Sequence, residues 1–215
     1  MEVLSHRSRE RARKQEQVGT APGALARAGS NRLSCCTLRH GVSRVTSTEV
    51  TLRFERPDDE AALGDLITAA FVGKPYAEGD EADLLVALRR AAALTVSLVA
   101  DLRGSVVGQA AFSPARGTDP AQRWYALGPV AVLPSHQGAG IGTRLVREGL
   151  QSISNLGAEG CIVVGDPAYY TRFGFTVSPE NAPRGQPASH FMVKVFGQRQ
   201  PSGPIHLHPA FGGGA

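Results

Sequence analysis

Gly128-Pro129-Val130-Ala131-Val132-Leu133-Pro134-Ser135-His136-Gln137-Gly138-Ala139-Gly140-Ile141-Gly142 is the stretch that decides the fold. An apolar β-type run stops at Pro134, alternating glycines follow, and residues with helical spacing come directly after. Glycine lets backbone N–H groups approach a ligand with no Cβ in the way. The first turn of a helix adds unpaired donors and the positive end of its dipole. Strand, bare loop and helix start, in that order, make an anion site, most often for a phosphate. The plainer reading is a tight turn, and the flanking strand and helix argue against it.

The residues after the glycines narrow the ligand. A P-loop needs Lys followed by Ser or Thr behind its last glycine, and Thr143-Arg144 stand there. A dinucleotide loop needs Gly or Ala three positions after Gly140, where Thr143 stands. It also needs an acid at the end of a second strand, and Glu159 precedes the strand Cys161-Ile162-Val163-Val164. Gln137-Gly138-Ala139-Gly140-Ile141-Gly142 fits Gln-x-x-Gly-x-Gly instead. Downstream, Tyr170-Thr171-Arg172-Phe173-Gly174-Phe175 supplies Tyr-x-x-x-Gly-Phe.

The two motifs together resemble the GNAT superfamily of acetyl-CoA-dependent N-acetyltransferases, over roughly residues 50 to 211. The resemblance implies an α/β (α+β) fold, a mixed and mostly antiparallel sheet with helices on both faces. Its parallel central strands four and five splay apart to receive the pantetheine arm of acetyl-CoA. It implies cofactor contacts from Val130, Ala131 and Val132, with main-chain bonds from Val130 and Val132. The pyrophosphate falls to Gln137, Gly138, Ala139, Gly140, Ile141, Gly142 and Thr143. Gln137 stands where the family often has Arg, a missing cation for which Arg144 or Arg147 would compensate.

Acetyl transfer from a thioester to an amine needs an unprotonated amine, a polarised carbonyl and an acid for the departing thiolate. A backbone N–H at the Gly128-Pro129 bend suits the carbonyl. Tyrosine, with an ordinary pKa of about 10, is near-matched to an alkyl thiol. Tyr170 holds the position the family uses for that acid, and neighbouring Tyr169 reads as packing. Glu78, Asp80, Glu81 and Asp83 are candidates for a base beside water-mediated deprotonation, each also readable as a solvated helix-start charge. Asp166 reads as the cap of the helix that begins at Pro167. The alternative function is a non-catalytic acyl-CoA-binding sensor or regulatory module. The implied partners are a small-molecule or peptide amine and a second copy of the chain in a homodimer; nucleic acid and membrane are not among them.

Composition agrees. The chain has 215 residues, 42% of them hydrophobic, enough for one domain and a tail. No apolar run approaches the roughly 18 residues of a membrane span. Residues 1–48 hold nine Lys/Arg against three Asp/Glu, and residues 49–215 hold fourteen against sixteen. The N-terminal segment therefore carries +6 and the rest −2 of the net +4; that segment has no aromatics interleaved with its arginines, and nucleic-acid binding ranks last. That segment reads as a disordered basic tail, a transit peptide, or an extension ahead of the true start. Residues 49–212 are the expected domain. Cys35, Cys36 and Cys161 form neither a disulfide framework nor a zinc spacing, so the chain reads as reducing and cytoplasmic. His206 and His208 alternate on one strand face, two ligands without a third, and no metal is expected.

Elsewhere the spacing predicts strands over 50–56, 95–100, 106–112, 124–133, 161–164, 191–196 and 205–207, the last two forming a ribbon. Helices are predicted over 61–71, 81–92, 138–156 and 167–172, with Ile141, Leu145, Leu150, Ile153 and Leu156 inward on the third. Loops 73–80 and 113–123 and the C-terminal ribbon are expected to set the acceptor.

Overall fold

The structure, a computed structural model, describes residues 49–74 and 79–212. The segment 1–48, Tyr76, Glu78, Cys35 and Cys36 lie outside the described residues. Strands β1 (Thr51–Phe54), β2 (Val96–Leu102), β3 (Ser105–Ala115), β4 (Trp124–Val132), β5 (Gly160–Val164), β6 (Thr176–Val177) and β7 (Phe191–Val195) form one sheet. Its order is β1-β2-β3-β4-β5-β7-β6. Every pairing is antiparallel except β4 with β5.

Helix α3 (Ile141–Asn155) makes the crossover between β4 and β5 and covers one face. Its Ile141, Leu145, Val146, Leu150 and Ile153 are buried against Leu98, Ala110, Phe112, Leu127 and Val163. At about 2 kcal/mol for each large side chain removed from water, this stripe outweighs the roughly 1 kcal/mol that Gly149 costs inside a helix. Leu156, expected inward, is 47% exposed, because the helix ends at Asn155 and Gly157 turns the chain away at φ +77°.

Helices α1 (Glu60–Phe71) and α2 (Glu81–Arg90) cover the other face, with Leu63, Leu66, Ile67 and Leu85 over Val99, Ala111 and Ala131. A single turn of 3-10 helix, Pro57–Asp59, leads into α1. The Asp59 carboxylate accepts from Arg53 at 2.6 and 2.8 Å and from the Arg56 N–H at 2.7 Å. The Arg53 guanidinium holds that carboxyl below the usual range and also donates to Asp101 at 3.0 Å. Glu55 ties the same corner together, accepting from Arg89 of α2 at 2.5 and 3.1 Å and from the Ser97 hydroxyl.

Two expectations change. Residues 113–115 continue β3 instead of starting a loop, pairing with Ala126, Tyr125 and Trp124. Residues 205–207 form no ribbon with β7; a lone bridge joins His206 to Arg116, while β7 pairs with β5 and with the short β6 that the spacing did not reveal. The segment still packs: Ile205 is buried with Trp124, Ala126, Ile162 and Phe191.

Candidate active site

The site begins as an irregularity in β4. Gly128 and Pro129 together oppose the single residue Ala111 of β3, and the peptide between them is cis. Such a bulge bends the strand that carries it. β4 stays paired with β3 as far as Val132, yet its parallel pairing with β5 covers only Trp124, Tyr125 and Ala126. Beyond Ala126 the two strands part. The Leu133 N–H donates to the Val107 carbonyl of the β3 side at 3.0 Å. Backbone groups alternate sides along a strand, so Ala131 also faces β3, opposite Gln109. Val130 and Val132 therefore turn their N–H and C=O groups into the gap. Ala131, expected beside them, has its methyl buried on the α1–α2 face.

The glycine loop closes one end of the gap. Gly138 and Gly140 hold φ of +78° and +79°, left-handed values that disfavour any side chain. Nothing lies within 4 Å of where a Cβ would stand on either, so their backbone faces open space. Gly140 is the N-cap of α3, and no side chain caps this end. The N–H groups of the first turn and the positive dipole end are thus left to whatever enters. The Gln137 Nε2 donates to the Val132 carbonyl at 2.9 Å and ties the loop to the strand. Arg144 reaches back to the Val50 carbonyl at 3.0 Å. Ile141 is buried, so only its backbone can face a ligand, and Thr143 is half-buried in the same turn.

Across the gap, β5 ends at Val164 and leads through Gly165 to α4 (Pro167–Tyr170). Asp166 caps this helix as expected, accepting from the Ala168 N–H at 2.9 Å. The half-buried Tyr170 ring lies flat against Gly165, where a Cβ would stand 2.4 Å from the ring. Edge contacts to Tyr169 at 5.0 Å and Phe175 at 6.0 Å hold it. Tyr169 packs, with its hydroxyl 3.0 Å from the Cβ position of Gly142 against the first turn of α3. The Tyr169 hydroxyl thus stands toward the glycine loop, and Tyr170 sits just beyond the end of β5.

The opposite face of the bulge carries the remaining candidates. The Phe211 ring lies 3.4 Å from the Cβ position of Gly128 and walls that side with the C-terminal segment. Asp80, Glu81 and Asp83 sit at the start of α2, where the dipole favours carboxylates. His208 caps a short turn, its Nδ1 accepting from the Ala210 N–H at 3.2 Å. Among the described residues no group of three or more His, Cys, Asp or Glu is placed to hold a metal. Cys161 is fully buried, and burial pushes its thiol far up, which removes the thiolate a nucleophile needs. No helix among the described residues is long and apolar enough to cross a membrane.

Sequence reasoning missed the glycines that make room. A Cβ on Gly108 would stand 3.1 Å from Leu145 and 3.2 Å from Ile141, directly beneath the start of α3. A Cβ on Gly149 would stand 2.0 Å from the Phe112 ring. With Gly165 they set how close α3 and Tyr170 come to the sheet. Only the distant partners reveal this, so no local signal announces it.

The Acetyltransferase (GNAT) family model matches residues 61–175, which span the bulge, the glycine loop and both tyrosines. The uncharacterized N-acetyltransferase YhbS of Escherichia coli K12 is 37% identical over 129 residues, 59% of this chain and 74% of that protein. The crystal structure of a GNAT family acetyltransferase from Brucella melitensis in complex with acetyl-CoA superposes with a TM-score of 0.67 at 42% identity. The match covers 75% of this chain and 97% of that one. The structure of YhbS from Escherichia coli in complex with CoA gives a TM-score of 0.69 at 30% identity, over 76% of this chain and 92% of that one. The splayed β4–β5 pair, the glycine loop at the head of α3 and these matches agree: this chain belongs to the GNAT acetyltransferase family.

Proposed function

We propose that residues 49–212 transfer an acetyl group from acetyl-CoA to a primary amine, directly, within a ternary complex. The observation that carries this reading is the gap-facing backbone edge of Val130 and Val132, ending at an uncapped helix start. That edge offers N–H and C=O groups at the spacing a chain of amides can pair with, and the loop offers N–H groups to a pyrophosphate. The two related structures solved with acetyl-CoA and with CoA support the choice of ligand.

In this reading the pantetheine amides lie along Val130 and Val132, and the backbone of Gly138 to Thr143 takes the pyrophosphate. The Val130 N–H, just past the proline that interrupts the ladder, polarises the thioester carbonyl. The amine nitrogen attacks the carbonyl carbon, the C–S bond breaks, and the Tyr170 phenol gives its proton to the leaving sulfur. A phenol near pKa 10 meets an alkyl thiolate with little mismatch, which favours general acid catalysis at this step. The amine loses its proton to water or to a carboxylate at the start of α2. The buried Cys161 supports direct transfer over a covalent acyl-enzyme.

Thiol release from acetyl-CoA across a panel of primary amines tests the proposal. Tyr170→Phe lowers kcat by about a hundredfold or more, while the affinity for CoA stays within about a factor of two. If the wild-type chain binds CoA yet releases no thiol with any amine of the panel, the domain is a non-catalytic acyl-CoA-binding module. If CoA fails to raise the melting temperature, the ligand assignment falls as well.

A further inference from the structure

Two of the three glycines in the loop are required by their backbone, and the third is not. Gly138 and Gly140 hold left-handed φ, whereas Gly142 lies inside α3 with ordinary right-handed backbone. Alanine favours a helix over glycine by roughly 1 kcal/mol, so glycine at 142 has another cause. That cause is space. A Cβ on Gly142 would stand 3.0 Å from the Tyr169 hydroxyl and 3.5 Å from a methyl of Val132, while the Cβ positions of Gly138 and Gly140 are open. At the head of α3, a side chain from beyond β5 therefore meets one from β4.

The place of that hydroxyl matters. Cα–Cβ bonds lean toward the N-terminus of a helix, so an oxygen against this Cβ position stands beside the opening of α3. The N–H groups of the first turn point out of the same opening. Val132, whose backbone edge lines the gap, touches the same position and marks it as the gap side of the helix.

The ring that carries the hydroxyl is pinned. Tyr170 stands edge-on at 5.0 Å, Phe173 at 5.4 Å, and the Arg172 guanidinium lies over the ring at 4.7 Å. The short helix α4 that bears it is held by Asp166 at its start and by a 2.7 Å bond from the Thr171 hydroxyl to the Pro167 carbonyl. The Tyr169 hydroxyl itself makes no hydrogen bond with any described residue. Its neighbours at the loop do: the Gln137 amide donates to the Val132 carbonyl, and Arg144 donates to the Val50 carbonyl. A fixed ring with an unspent O–H, beside a cluster of unspent N–H groups, is a donor already ordered for an anion. Little entropy is lost when it bonds one.

Building on the acetyl-transfer reading, we propose that Tyr169 is a further binding residue for the co-substrate. Its hydroxyl donates to a pyrophosphate oxygen held at the head of α3, and position 142 is glycine to admit it. The adjacent tyrosines then divide one ligand between them, Tyr169 taking the pyrophosphate and Tyr170 the sulfur.

Tyr169→Phe keeps the ring contacts and removes the hydroxyl alone. The full chain is titrated by calorimetry with CoA and, as the isolated probe, with inorganic pyrophosphate. The variant binds both about tenfold more weakly, the loss expected for one hydrogen bond to a charged oxygen. The melting temperature of the free chain stays where it was, because no bond within the chain is lost. A packing role alone would lower that temperature and leave both affinities intact, and this outcome overturns the proposal. Gly142→Ala is the second arm: it displaces the hydroxyl and weakens both ligands in the wild type, yet adds little in the Tyr169→Phe background. Fully additive losses overturn the pairing of Gly142 with this hydroxyl. If CoA binds wild type and Tyr169→Phe equally, the proposal falls and acetyl transfer stands. If pyrophosphate binding depends on the hydroxyl in a chain that never binds CoA, the contact stands and acetyl transfer falls. A wild type that binds neither overturns both.

Discussion

Helices α3 and α1 each carry a glycine near the middle, and the two glycines do opposite things. On α3, Gly149 is buried, and a Cβ there would penetrate the Phe112 ring at 2.0 Å. On α1, Gly64 has nothing within 4 Å of its Cβ position. One helix is pressed onto the sheet as closely as backbone allows, and Gly108 below its first turn repeats the device from the sheet side. The other turns its glycine away from its buried face, which Leu63, Leu66, Ile67 and Ala70 fill. The contrast fits the proposed function: α3 begins at the glycine loop, and a loop that is to grip with backbone N–H groups needs its helix fixed to a fraction of an ångström. On the other face the Phe211 ring of the C-terminal segment stands 3.4 Å from the Cβ position of Gly128.

The sharpest way to break this comparison is Gly149→Ala. It destabilises the domain by about 3 kcal/mol in urea unfolding, at the upper end of what overpacking costs, and it shrinks the thermal shift produced by CoA. A neutral result would mean that α3 is not pinned. Next comes Asp59→Asn on the other face, costing about 2 kcal/mol at neutral pH through lost charge-assisted bonds to Arg53. Because the carboxyl of Asp59 is held below its unfolded value, its contribution is complete above the ordinary carboxylate pKa of about 4. It is lost as pH falls through the lower folded value. Unfolding measured between neutral pH and pH of about 2 therefore shows a shallower acid limb in the Asn variant. The smallest effect has the opposite sign: Gly64→Ala stabilises by about 0.7 kcal/mol, through helix propensity alone, and leaves CoA affinity unchanged. Destabilisation by Gly64→Ala would show that α1 sits closer to the sheet than its open Cβ position implies.

What was legible in the sequence was whatever the backbone demands locally. The left-handed turns at Gly138 and Gly140, the interrupted strand at Gly128-Pro129 and the capping Asp166 are each set by neighbours a few residues away, and each is where the spacing placed it. Gly108, Gly149 and Gly165 look like any other glycines because the groups they admit, Leu145, Phe112 and the Tyr170 ring, arrive only with the tertiary fold. Pro114 reads as a strand breaker, yet the long β3–β4 ladder carries it opposite Tyr125. The bond from the Gln137 amide to the Val132 carbonyl depends on where the loop folds back on β4, which the motif does not state.

The parting of β4 from β5 amounts to an edge strand kept inside a sheet. Edges invite other polypeptides to add themselves, which is why proteins shorten, charge or cover them. Here the unsatisfied edge of Val130 and Val132 stands with β3 on one side and the divergent β5 on the other, and the Gln137 amide already covers its last carbonyl. A slender molecule with a few amides can complete the ladder, while another chain has no flank along which to align. The geometry that opens the gap thus also flanks that backbone with β3 on one side and β5 on the other.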